Sequence, residues 1–110
     1  MDTAAARTRL QEMLADLDRS IAILKGESPE RENSPSDAAA ILTDSDRVEA
    51  ALETMRRHRA AVVGALERIA DGTYGQCVDC GRRVPDGRLK ARPEAARCVA
   101  CQARHDRAMR

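Results

Sequence analysis

The sequence predicts a mainly α fold: an antiparallel helical hairpin of coiled-coil type, followed by a small four-cysteine module with a C-terminal helix. Three observations predict it. Two long stretches carry apolar residues at coiled-coil spacing. A polar link of nine residues, 26–34, separates them. The chain's four cysteines fall as two Cys-x-x-Cys pairs, Cys77 with Cys80 and Cys98 with Cys101, seventeen residues apart.

Composition points the same way. Apolar residues make up 43% of the 110, but the aromatic share is a single tyrosine, Tyr74. Alanine, leucine and a few valines and isoleucines build a thick globular core poorly and narrow helix–helix seams well. Charged residues are 34%, with both signs mixed and a net charge of +1, so no global field drives the chain onto nucleic acid or membrane. Residues 1–72 read as the hairpin, with its tip around 26–40. Residues 73–110 read as the cysteine module with its basic C-terminal helix.

The first helix is expected from about Asp2 to Lys25. Leu10, Leu14, Leu17, Ile21 and Leu24 are spaced alternately four and three apart, the seam of a coiled coil, with Met13 beside them. Lys25 and Gly26 form a helix stop. The link GESPERENS has no apolar side chain and reads as a loop.

The second helix opens at Ser34-Pro35-Ser36-Asp37. Serine caps free amides, proline suits the first helical position, and an acid in the first turn complements the helix dipole. No proline or glycine then occurs before Gly64, and the pattern continues to Asp71. Ile41, Val48, Leu52, Met55, Val62, Leu66 and Ile69 keep a seven-residue rhythm, which Ser45 and Arg59 interrupt. At 1.5 Å per residue such a helix is roughly 55 Å long. A short link between matching seams favours a hairpin over an intermolecular coiled coil. Arg59 argues against a long dry dimer interface unless an acid on the partner helix meets it.

The start MDTAAARTRL lacks the apolar core of a signal peptide, and no stretch reaches the roughly 18 apolar residues of a membrane span. A cytoplasmic location is expected, where thiols stay reduced and paired cysteines point to metal before disulfides. A two-residue gap aims two thiolates at one ion, and two such knuckles complete a tetrahedral S₄ site for one Zn²⁺. Four thiolates leave no position for water, so the zinc is structural. Disulfides, a rubredoxin-like iron and a thioredoxin-like redox pair fit less well, for want of an oxidising compartment, aromatic surroundings and a strand–helix unit respectively. Residues 73–110 offer few bulky apolar groups, Tyr74, Val78, Val84, Leu89 and Val99, so metal binding would supply the folding energy.

The run from Ala65 to Cys101, ALERIADGTYGQCVDCGRRVPDGRLKARPEAARCVAC, resembles the DksA/TraR family of bacterial transcription regulators. The ALERI-x-DG-x-YG-x-C lead-in, the seventeen-residue gap and the RL-x-ARP-x-A run carry the resemblance, and the upstream hairpin agrees with the family's architecture. The resemblance implies a protein that binds RNA polymerase and inserts its hairpin tip into the secondary channel, often together with ppGpp, without reading DNA. The family's tip motif, D-x-x-D-x-A, falls on Ser34 to Ala39. Asp37 and Ala39 match it as polymerase tip contacts, and Ser34 replaces the first acid. Asp37 also suits helix capping, and Asp44 and Asp46 form a second acidic cluster further along. For ppGpp or polymerase contact, Arg92 matches and Arg57 replaces a lysine. Thr54, Ala61 and Gln102 stand where other basic contacts are expected, an incomplete set that counts against ppGpp.

Catalysis is not expected, since His58 and His105 are lone histidines without a nucleophile partner. A monomer without membrane attachment or sequence-specific DNA binding is expected. Two other classes remain. Arg82, Arg83, Arg88, Lys90, Arg92, Arg97 and the basic tail suit a nucleic-acid-binding zinc module, although no aromatic platform exists for stacking bases. The seam suits a coiled-coil adaptor.

Overall fold

The computed structural model describes residues 3–26 and 38–109, with side chains over 3–26 and 45–109. Helix α1 spans Thr3–Leu24 and α2 spans Ala38–Asp71. Two short helices follow, α3 over Asp86–Ala91 and α4 over Val99–Ala108. Extended pairing among the described residues is one antiparallel bridge, between Gln76 and Arg83. The fold is mainly α, as expected. The Ser34-Pro35 start of the second helix, with Asp37, lies outside the described residues.

The helices hold together through a seam of small and medium apolar side chains. Leu10, Val62 and Ala65 are fully buried, with Met13, Leu14, Leu17, Leu66 and Ile69 packed around them. Further up α2, Leu52 is buried and Val48 and Met55 are half-buried, whereas Ser45 is exposed. Leu10 of α1 meets Val62 and Ala65 of α2. Eight residues further along α1, Asp18 accepts a 2.6 Å hydrogen bond from Nε of Arg59. Positions rise along α1 as they fall along α2, so the helices run antiparallel.

Arg59 is therefore a seam position whose charge is met by an acid of the same chain. That carboxylate raises the Arg59 pKa, chiefly by the hydrogen bond and then by its charge. Ala65 was absent from the seven-residue rhythm. It is buried with Leu10 and Val62 at the base of the hairpin, in a cluster against which Tyr74 also packs.

The end of α2 shows how the chain turns back. Gly72 adopts φ +80°, and the amides of Gly72 and Thr73 donate to the carbonyls of Ile69 (3.3 Å) and Arg68 (2.9 Å). This is a Schellman closure, which needs a left-handed residue just past the helix and so favours glycine. The reversal delivers Tyr74 to the junction. Its ring touches both the hairpin cluster and a second cluster formed by the cysteine module, and its hydroxyl donates to the Pro93 carbonyl at 2.8 Å. Two more contacts bind the module to the hairpin base: the Arg9 guanidinium donates to the Lys90 carbonyl, and His58 Nε2 lies 3.6 Å from Glu94 Oε2.

Candidate metal centre

Each cysteine pair is shaped by its backbone. In the first, the Cys77 amide donates to the Arg82 carbonyl at 2.7 Å and the Gly81 amide to the Cys77 carbonyl at 3.0 Å. Gly81 has φ +75°, which lets the chain reverse immediately after Cys80. The Gln76–Arg83 bridge and a 2.7 Å bond from the Val84 amide to the Gly75 carbonyl close the loop. In the second pair, Cys98 is the residue before α4 and Cys101 lies in its first turn, so one helical turn brings the two sulfurs to the same side.

The pairs are then tied together. The Val78 amide donates to the Ala96 carbonyl at 2.9 Å, and Arg97 Nε donates to Asp79 Oδ2 at 2.7 Å. Helix α3 supplies Leu89, which packs with Val84, Cys77 and Cys101 into a small core flanked by Tyr74, Ala95 and Cys98. Val78 and Val99, counted from sequence among the few bulky apolar groups of this segment, are instead exposed (50% and 63%). Each directly follows the first cysteine of its pair, where the side chain faces away from the ligands.

The four cysteines are free, and their sulfurs all lie within 4.8 Å of one another. A tetrahedral zinc with Zn–S bonds of about 2.3 Å separates its sulfurs by about 3.8 Å. The Cys80 and Cys98 sulfurs stand 3.9 Å apart. Cys77 and Cys101 are buried, Cys98 is half-buried and Cys80 is exposed. The donor set and its spacing fit one structural zinc ion, whose role when bound is to cross-link the two pairs.

The thiols differ in their readiness to ionise. Burial pushes Cys101 up to about 12, with the neighbouring sulfurs adding to the effect. Burial also opposes ionisation of Cys77, but the amides of Cys80, Cys98 and Asp79 outweigh it and bring that thiol down to about 6. Cys98 is lowered, first by the amide of Cys101. Backbone amides thus favour the thiolate at Cys77 and Cys98, and burial disfavours it at Cys101.

Asp37 lies outside the described residues, and Ala39 is in the first turn of α2, where side chains are not described. Arg57 is exposed on α2, with Nε 3.3 Å from Glu53 Oε1. Arg92 is an exposed residue at the end of α3. Two features escaped the sequence reading. Helix α3 is only six residues long and holds glycine, too short for a periodic signal. Arg104, read only as part of a basic tail, donates to Cys101 Sγ at 3.0 Å. The legible signal was its spacing, three residues beyond a ligand on a helix.

Comparison with known proteins agrees with this geometry. Residues 72–107 match the model of the prokaryotic dksA/traR C4-type zinc finger. The chain is 36% identical over 78 residues to the RNA polymerase-binding transcription factor DksA of Caulobacter vibrioides, covering 71% of this chain and 50% of that protein. The chain therefore spans about half the length of that curated relative. Among solved structures, transcription factor DksA2 of Pseudomonas aeruginosa superposes with a TM-score of 0.79 at 27% identity, covering 96% of this chain and 84% of the other. The DnaK suppressor protein of Agrobacterium tumefaciens superposes with a TM-score of 0.66 at 28% identity, covering 94% and 93%. The matched family is one of transcription factors rather than enzymes.

Proposed function

Because this chain belongs to the DksA/TraR family of zinc-finger proteins, we propose that it binds RNA polymerase and regulates transcription by placing its hairpin tip in the secondary channel. The observation that carries this reading is the pairing, in a single chain, of the matched finger with a two-helix arm that superposes on DksA2 over nearly its whole length. The arm suits the task physically. Helix α2 has 34 residues and is about 50 Å long at 1.5 Å per residue, so it separates its two ends by more than the width of a small domain. The zinc cross-link stiffens the base of the lever.

In this reading Asp37 and Ala39 are the tip contacts. Asp37 would bring negative charge to the polymerase's metal-binding or basic surroundings. Arg57 and Arg92 are contacts to polymerase or ppGpp. Both are exposed, and among the described residues Arg57 pairs with Glu53 of its own helix, a surface pair that is easily exchanged. The site of action would be the cytoplasm, where the polymerase resides. No described helix is long and apolar enough to cross a membrane.

The test is co-purification with core RNA polymerase, comparing the wild type with Asp37→Asn, alongside transcription from a sensitive promoter. Channel insertion predicts that Asp37→Asn keeps binding and loses the transcriptional effect. Loss of neither rejects the role of the tip. Failure of the wild type to bind DNA-free polymerase rejects the whole reading. The exposed basic residues Arg82, Lys90, Arg92 and Arg107 favour a second reading, a nucleic-acid-binding module. It predicts binding to random DNA that weakens steeply with salt.

A further inference from the structure

A zinc ion held by four thiolates carries two net negative charges. At the centre of this finger that charge sits beside two buried sulfurs, Cys77 and Cys101, where an uncompensated charge is costly. Amides answer part of it, those of Cys80, Cys98 and Asp79 at Cys77 and that of Cys101 at Cys98. Three of the finger's side-chain cations are engaged elsewhere. Arg97 is bonded to Asp79, Arg83 lies 3.4 Å from Asp86, and Arg88 donates to the Arg97 carbonyl.

Two arginines share a groove with three of the cysteines. A groove of about 380 Å³ is lined by Cys80, Arg82, Cys98, Ala100, Cys101 and Arg104. Arg104 makes the direct contact, donating through a terminal nitrogen to Cys101 Sγ at 3.0 Å. Cys101 is 2% exposed, the ligand least able to be compensated by water. Among the described residues, neither Arg82 nor Arg104 has a carboxylate within ion-pair distance.

We propose that Arg104 is a charge partner of the zinc–thiolate centre, hydrogen-bonded to the Cys101 sulfur and slowing loss of the metal, with Arg82 acting on the same charge across the groove. The arrangement follows from helix geometry. Cys101 and Arg104 are three apart on α4, so the ligand and its counter-charge share a face and are fixed by the same turn. A hydrogen bond to a metal-bound thiolate orients the sulfur and draws off part of its charge. The four ligands are then unequal. Cys101 is covered and clamped. Among the described residues no guanidinium donates to Cys80, which is exposed, so it is the ligand that leaves first.

The test uses the full zinc-loaded chain and measures the rate of zinc transfer to excess EDTA, together with the ¹¹³Cd resonance of the cadmium-substituted protein. Arg104→Ala is expected to speed zinc transfer about 10- to 100-fold, the usual range for loss of an outer-shell partner, and to move the cadmium resonance. Arg104→Lys, which keeps the charge, is expected to stay nearer the wild type than Arg104→Gln, which keeps only a donor. Brief alkylation with iodoacetamide should label Cys80 first and Cys101 last in the wild type, and Arg104→Ala should advance the labelling of Cys101. An unchanged transfer rate with an unchanged cadmium resonance in Arg104→Ala overturns the proposal. If that variant does not fold, equal transfer rates in the lysine and glutamine variants overturn it instead.

Discussion

The hairpin and the finger solve the same problem with different means. The hairpin buries Leu10, Val62 and Ala65 along a seam between two long helices, and each turn of helix adds a little to its hold. The finger has Val84 and Leu89 as its buried apolar side chains besides Cys77 and Cys101. Its helices are six and ten residues long, below the length at which helices persist alone. A region with many weak contacts fails gradually under substitution, whereas a region organised by one ion fails all at once.

Removing the metal should break that comparison most visibly. Zinc binding in small fingers contributes on the order of 10–16 kcal/mol at neutral pH, and with so few buried apolar side chains it is expected to supply most of the folding energy of residues 73–109. Chelation, or Cys77→Ser, should abolish the dispersed amide signals of the finger in a two-dimensional NMR spectrum. Most of the helical circular dichroism, which comes from α1 and α2, should remain. Collapse of both regions together would show that the hairpin depends on the finger more than its own seam suggests.

A core truncation in the hairpin comes next. Leu10→Ala removes a fully buried side chain and should cost about 2–5 kcal/mol in denaturant melting. Zinc content should be unchanged if the two regions keep separate accounts of their stability.

The junction is tested by Tyr74→Phe. Losing the hydroxyl bond to Pro93 should cost about 1 kcal/mol. The wild type also carries a pH signature. Burial raises the Tyr74 pKa above its ordinary 10.0, partly offset by the Arg68 charge. The folded state therefore holds the phenol neutral where the unfolded chain ionises. This contribution is complete below pH 10 and is lost as pH climbs toward the folded value. Stability of the wild type should fall across that alkaline range, and the phenylalanine variant should lack this component.

The smallest effect is expected at Arg59→Met. The Arg59–Asp18 pair is largely solvent-exposed (43% and 51%), where ion pairs gain little. The variant should melt close to the wild type and show less dependence on salt. A large loss of stability would mean that the pair sets the register of the seam.

Much of this was legible in the residues themselves. The leucine spacing of α1 and the seven-residue rhythm of α2 follow from helix periodicity, which is local and survives in one dimension. The two Cys-x-x-Cys pairs announce a metal because a tetrahedral ion demands that ligand type at close spacing. Ala65 was not legible, since it lies outside the seven-residue rhythm and is buried in a cluster that Tyr74 joins from beyond Gly72. Helix α3 was not legible either, because six residues are too few to display a period.

The sequence alone thus determined the elements and the ion, through periodicity and ligand chemistry that act over a few residues. Tertiary structure alone decided that Arg59 meets Asp18, that Tyr74 joins the two clusters, and that Val78 and Val99 face outward. It also decided that, among the described arginines, Arg104 donates to a ligand sulfur. The reason is physical: a guanidinium on a long flexible stem reaches many partners, and only the packing of distant segments selects one.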